Sequence, residues 1–225
     1  MRRTKEDAEQ TREDIFRSGI KVFARKGYAA ATMNDIAREA GVTRGAIYWH
    51  FKNKEDFYVE ITSRLNNYYS EMMEEGLKWI EDGALQEYEG QVVDEMVSVC
   101  TNVLRRFVDD NDFRAMNEIS LQVSIGDHTN PKYNTWNDEK IDTAVKFLSA
   151  LIKRGDIYDN WTPESADLAL AAFMNGLLVV VLHDKSLFTE ERIKEVMGFF
   201  RRGFMPQREH EAAHHGSVKE KGVKK

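Results

Sequence analysis

Hydrophobic positions recur three and four residues apart almost throughout this chain, the spacing of a single buried helix face. Ile15, Gly19, Val22 and Phe23 mark such a face on a first helix over 5–26, with Phe16 and Ile20 widening it and Gly27 ending it. A short second helix is announced by Thr32, with Asp35 three residues on, a pair able to form a reciprocal capping box. Ile36, Ala37 and Ala40 give it one apolar face, and Gly41 supplies the left-handed backbone that stops it. Thr43 then caps a third helix whose Ala46 and Ile47 turn back against the second. Asn53 caps a long fourth helix, from Lys54 to 79 or 80, apolar at Phe57, Tyr58, Ile61, Leu65, Tyr68, Tyr69, Met72 and Met73.

The same period carries on through the remainder. After a glycine-bearing loop at 81–90, Val92, Val93, Met96, Val97, Cys100, Val103, Leu104, Phe107 and Val108 form a wide stripe. A stripe that wide predicts a helix buried on more than one side. A sixth helix follows over 113–125, and Asn130–Pro131 opens a seventh over 131–153. Thr162–Pro163 opens an eighth and Thr189 a ninth. The residues after Pro206 are polar with no core face, and disorder is expected there. The predicted fold class is all-α: an N-terminal three-helix, helix-turn-helix domain over 1–53, a C-terminal helical bundle over 54–205 for ligand binding and dimerisation, and a tail over 206–225.

With Ala46 and Ile47 turned inward, the third helix leaves Thr43, Arg44, Tyr48, Trp49 and His50 outward, with Lys52 and Lys54 beyond. Polar and aromatic hydrogen-bonding groups on a short capped helix, with lysines at its end, suit a DNA major groove and its phosphates. The run GVTRGAIYWHFKNK, preceded by ATMNDIAREA and by a helix ending FARKGY, resembles the DNA-binding domain of TetR-family transcriptional regulators. Within that family it is most similar to the AcrR-like repressors of multidrug efflux pumps. The resemblance covers about the first quarter of the chain. It implies DNA contacts at Thr43, Arg44, Gly45, Tyr48, Trp49 and His50, and flanking phosphate contacts at Thr32 and Lys54. It also implies a homodimer formed by the last two helices, a small hydrophobic inducer, and double-stranded operator DNA as partner.

Charge sharpens this picture. The net charge of −6 is divided unevenly: residues 1–54 hold 12 Lys/Arg against 7 Asp/Glu, a net +5, and the remainder carries −11. A basic head on an acidic body is the footprint of DNA binding through one end. Arg2, Arg3 and Lys5 add a basic arm able to reach a phosphate or the minor groove. The N-terminus is charged rather than apolar, which argues against a secretory signal. No apolar run approaches the roughly 18 residues of a membrane span, LLVVVL at 177–182 being short. A cytoplasmic protein without a membrane partner is expected.

Candidate chemistry elsewhere is sparser. Aromatic and methionine-rich helices with a few polar groups describe a small-molecule pocket and an ordinary helical core equally. Phe107, Met116, Asn117, Gln122, Phe173 and Asn175 are the candidate lining, with the Met72–Met73 pair soft enough to contribute. Met174, Leu177, Leu178 and Val181 on the eighth helix, and Ile193, Val196, Met197 and Phe200 on the ninth, are candidates for a dimer seam. Their periodicity says only that both helices bury a face, which an intramolecular core also satisfies. The scattered histidines lack paired metal-ligand spacing, so neither a metal nor a cofactor is expected. No phosphate loop, nucleophile elbow or carboxylate pair supports an enzyme. Three readings follow: a ligand-responsive repressor; a ligand-independent architectural or division-control factor of the same fold, which a filled body cavity would favour; or a helical carrier or enzyme with a vestigial N-terminal domain, against which the outward Arg44, Tyr48 and Trp49 argue.

Overall fold

The computed structural model describes residues 5–83, 90–126 and 138–204. Within them lie helices α1 (Lys5–Lys26), α2 (Met33–Glu39), α3 (Arg44–His50), α4 (Lys54–Glu81), α5 (Gln91–Asp109), α6 (Asn111–Gly126), α7 (Asp138–Arg154), α8 (Pro163–His183) and α9 (Glu190–Phe204), with a 3-10 turn at Lys185–Leu187. The predicted cap at Asn130–Pro131, the start of the seventh helix, the arginines of the N-terminal arm and the tail beyond residue 205 lie outside the described residues.

Local signals set the helix ends. Thr32 Oγ1 accepts from the Asp35 amide while Asp35 accepts from the Thr32 amide, so the capping box forms in both directions. Thr43 caps α3 through the Ala46 amide, Asn53 caps α4 through the Asp56 amide, and Thr162 caps α8 with Pro163 next to it. Gly27, Gly41 and Gly155 close α1, α2 and α7 with positive φ, a conformation that glycine adopts without strain.

The head packs α1, α2 and α3 around Ile15, Phe16, Ile20, Phe23, Ile36 and Ile47, all almost fully buried. It does not end at residue 53. Phe57, Tyr58 and Ile61 of α4 are equally buried in the same core, and Phe51 stacks on Phe57 at 3.9 Å between ring centroids. An ion-pair lattice reinforces this seam. Arg12 makes a two-pronged pair with Glu60, and Arg64 one with Glu13, at 2.7–3.1 Å. Arg64 also reaches Glu60 and lies 3.9 Å from the centre of the Phe16 ring. The first turns of α4 therefore move with the head.

Beyond the head, α4 continues into the body, where its main partner is α7, and α5 is packed among α4, α6, α8 and α9. The wide stripe on α5 is buried as its width predicts. One sequence expectation needs correcting: α8, at 21 residues, is long and apolar enough by length and composition to cross a membrane. Counting only the unbroken run at 177–182 misses it, because Asn175 and Gly176 interrupt an apolar stretch that begins at Leu168. Here it lies against α5, α6 and α7, burying Ala166, Leu170, Leu178 and Val181 on one side.

Candidate functional site

Folding of the head gives α3 an outward face. Ile47 is completely buried and anchors the helix, whereas Thr43, Arg44, Gly45, Tyr48 and Trp49 are exposed, Trp49 to 74%. The Arg44 guanidinium hovers 5.8 Å from the centre of the Tyr48 ring, and Trp49 meets His50 edge-on. A Cβ added at Gly45 would meet nothing nearer than Thr43 Oγ1 at 4.0 Å, and the backbone there is not left-handed. The fold itself therefore has no use for a glycine at 45. Beside α3, a shallow groove bounded by Thr32, Asn34, Tyr48, Lys52 and Asn53 runs between the first turns of α2 and α4. Amides at helix starts and an exposed lysine make this groove receptive to an anion.

Two flanking residues are engaged in holding the head together. Thr32 is occupied by the capping box. The Lys54 ammonium donates to the carbonyls of Tyr28 and Ala29, both at 2.9 Å, and so braces the connection between α1 and α2. Asp35 is held down to about 2, chiefly by its hydrogen bond from Lys26 and also by Thr32.

The body holds a half-open cavity of about 300 Å³ between α4, α5, α6, α7 and α8. Leu65, Met72, Met73, Val103, Phe107 and Leu121 supply apolar wall, while Asn66, Ser70, Asn117, Ser120, Ser124, Thr143 and Asn175 supply hydroxyl and amide groups. The Tyr69 hydroxyl donates to Asn117 Oδ1 at 3.0 Å, and Asn117 donates in turn to the Phe113 carbonyl. Burial raises the Tyr69 phenol and pushes the Cys100 thiol up to about 12, so both stay neutral. Among the described lining residues Asp167 carries the only charge, and burial raises its carboxyl above the ordinary range. Such a lining offers an apolar body room and a hydrogen-bond donor or positive group a partner.

The comparisons fit this geometry. Residues 15–61, the head with the first turns of α4, match the profile of bacterial regulatory proteins of the tetR family. Over 191 residues the chain is 30% identical to the HTH-type transcriptional repressor BepR of Brucella suis biovar 1 (strain 1330), covering 84% of this chain and 88% of BepR. The chain belongs to the TetR family. It is a DNA-binding transcriptional regulator and not an enzyme. Similarity to the regulator AcrR of Shigella flexneri is higher, at 47%, but spans 60 residues and only 28% of that protein. Among solved structures, NalD of Pseudomonas aeruginosa, titled the secondary repressor of the MexAB-OprM multidrug efflux pump, superposes with a TM-score of 0.68 at 23% identity, over 89% of this chain and 100% of NalD. A complex of SmeT with triclosan superposes at 0.67 and 21% identity, over 96% of this chain and all of that one.

In this TetR-family chain the predicted ligand residues separate into two groups. Phe107, Asn117 and Asn175 line the cavity; Met116, Gln122 and Phe173 are not among its described walls. Gln122 is exposed and donates to Glu118, and Phe173 stacks on Phe200 at 4.7 Å. Tyr69, Ser120, Ser124, Thr143 and Asp167 were missed. Asp167 had a signal, as an acidic residue leading into the apolar run of α8; the small hydroxyls had none. The residues named for a dimer seam divide as well. Leu178, Val181, Ile193, Met197 and Phe200 lie in the chain's own core, Met174 lines the cavity, and Leu177 and Val196 are half-buried. The apolar residues left exposed on these helices are instead Leu168, Val179 and Val180 of α8 and Phe199 of α9. Periodicity located the inward stripe, but α8 is apolar on its outer face too.

Proposed function

We propose that this chain is a homodimeric, cytoplasmic repressor that holds a two-fold operator and releases it when an apolar small molecule enters the body cavity. The observation that carries the reading is the capped, exposed α3, with Arg44, Tyr48 and Trp49 outward on a head whose core is complete without them. Arg44 suits a guanine edge, and Tyr48 and Trp49 offer ring faces to thymine methyls and donors to phosphate. The spare glycine at 45 is explained by close approach of a DNA backbone, where a methyl group would intrude. Thr43, His50, Lys52 and the groove beside Thr32 supply phosphate contacts, and Lys54 joins them on leaving the α1–α2 connection.

Pairing of two chains is supported by the outer face of α8 and α9. Leu168, Ala172, Gly176, Val179 and Val180 recur at helical spacing on the exposed side of α8, with Phe199 exposed on α9. Small and branched residues on an unpaired apolar face suit close helix packing across a two-fold axis. A dimer would present two α3 helices to successive major-groove faces, roughly 34 Å apart. The cavity favours ligand control over the ligand-independent alternative. Its single carboxylate favours inducers with a donor or positive group on an apolar frame. Relatives named as repressors of multidrug efflux pumps suggest an efflux pump as the regulated gene.

The test is fluorescence anisotropy of the purified protein on duplex from upstream of its own gene, at two salt concentrations, against random duplex. A preference of at least roughly a thousandfold, falling steeply with salt, is expected. Equal weak binding to both duplexes would discard the local operator, and no binding to either would discard the DNA-binding reading. Light scattering of a Val180→Asp variant checks the dimer, which is expected to become monomeric.

A further inference from the structure

Four arginines of the head, Arg12, Arg17, Arg25 and Arg64, are each paired with a glutamate carboxylate at 2.7–3.2 Å. Arg44 rests instead on a ring. Its guanidinium carbon lies 5.8 Å from the centre of Tyr48, one turn along α3. No acidic residue occupies that helix, whose sequence is RGAIYWH. Arg44 and Tyr48 are both exposed, Tyr48 to 41%, and the completely buried Ile47 fixes the helix that carries them. Tyr48 also borders the groove formed with Thr32, Asn34, Lys52 and Asn53. One side chain therefore serves both the phosphate-receptive groove and the arginine of α3.

The kind of contact decides what an arginine can do next. A carboxylate partner takes up guanidinium N–H groups, and a base edge would have to displace it. An aromatic ring attracts the cation through its quadrupole and leaves the N–H donors for other acceptors. Bidentate recognition of guanine O6 and N7 needs two of those donors in their fixed fork. A ring contact also narrows the conformations of a long, flexible side chain. Less freedom is then lost when a base is met.

We propose that Tyr48 is a positioning residue for Arg44: its ring holds the guanidinium ready for one operator base pair. The preference at that base pair then depends on the ring of Tyr48 and not on its hydroxyl. Tyr48 has two separable duties. The ring sharpens base discrimination through Arg44, and the hydroxyl binds the operator backbone without regard to sequence. This deepens the DNA-reading assignment of α3 and rests on it. The rival account makes Tyr48 a backbone contact alone, which raises affinity for every sequence equally.

The test uses full-length protein without ligand. An operator is selected from a random duplex library with the wild type. The same selection with Arg44→Ala locates the base pair whose preference Arg44 sets. Fluorescence anisotropy then compares duplexes that differ at that base pair alone. Arg44→Ala is expected to reduce the preference roughly five- to a hundredfold. Tyr48→Leu should reduce it about two- to fivefold, the range for an exposed cation–π contact. Tyr48→Phe should keep the wild-type preference while binding both duplexes more weakly by the same factor. In the Arg44→Ala background, Tyr48→Leu should change no preference at that position, and such coupling marks a contact. Tyr48→Met gives the same loss if melting curves show that the leucine variant does not fold. A Tyr48→Leu variant that weakens binding to both duplexes equally, or a Tyr48→Phe variant as indiscriminate as Tyr48→Leu, overturns the proposal. So does an Arg44→Ala variant with wild-type base preferences; the repressor reading stands in all three cases. A wild-type protein that selects no operator removes both.

Discussion

The head and the body of this chain use the same helical period for opposite ends. In the head, the apolar positions are consumed by a core in which Ile15, Ile36, Ile47, Phe57 and Tyr58 have no exposure at all. On α3, Arg44, Tyr48 and Trp49 remain outside. In the body, apolar residues are left over: some wall a cavity, and Leu168, Val179, Val180 and Phe199 stand in solvent. A complete core holds a fixed reading surface, suited to a partner of constant shape such as B-DNA. An incomplete one leaves space and surface for other molecules.

The comparison breaks first if the outward residues of α3 matter to folding. Replacing Arg44, Tyr48 and Trp49 together with alanine is expected to reduce operator binding to the non-specific level, a loss of roughly a thousandfold or more. The melting temperature should barely move; a large drop would show these side chains to be part of the head's core. Core truncations sharpen the contrast. Phe57→Ala should cost about 3–5 kcal/mol in a denaturant titration, since the buried ring fills a packed site. Met73→Ala, on a wall that already faces open space, should cost clearly less, and equal costs would contradict the contrast between filled head and hollow body.

Gly45→Ala separates folding from reading. Alanine should stabilise α3 by up to about 1 kcal/mol while weakening operator binding. A variant that binds DNA as well as wild type would remove the close-approach explanation for that glycine.

The smallest expected effect concerns the ion-pair lattice. Hydrogen bonds from Arg64 to Glu13 and from Arg12 to Glu60 hold both carboxyls below the ordinary carboxylate range. Groups with a depressed folded pKa stabilise the protein above the unfolded value, about 4.3 for Glu, and lose that contribution as pH falls through the folded one. Arg64→Ala should therefore lower stability near neutrality by roughly 1 kcal/mol or less, because these pairs are partly solvated. Its melting curve should converge with wild type as pH drops below the carboxylate range. A gap that persists in acid would assign the effect to packing of Arg64 on Phe16 instead.

The head was legible because its determinants are local. Capping pairs at Thr32 and Thr43, the stop at Gly41 and the short spacing between them leave two adjacent helices one way to pack, and that packing exposes Arg44, Tyr48 and Trp49. Sequence alone also determined the all-α class, most helix boundaries and the charge division between head and body. It assigned a DNA contact to Lys54, yet only the folded head brings the Tyr28 and Ala29 carbonyls to that ammonium. The body depended on tertiary structure throughout. An apolar stripe reads the same whether it meets its own chain, a second chain or a cavity, so Leu178 and Phe200 stood between core and dimer seam until the fold buried them, and Val180 and Phe199 were passed over. Cavity walls are assembled from five helices distant in sequence, which is why Phe107 and Asn117 could be anticipated while Ser120, Thr143 and Asp167 could not. Phe147 of α7 comes to press on Gly76 of α4, seventy-one residues away in sequence, only once the two helices have packed.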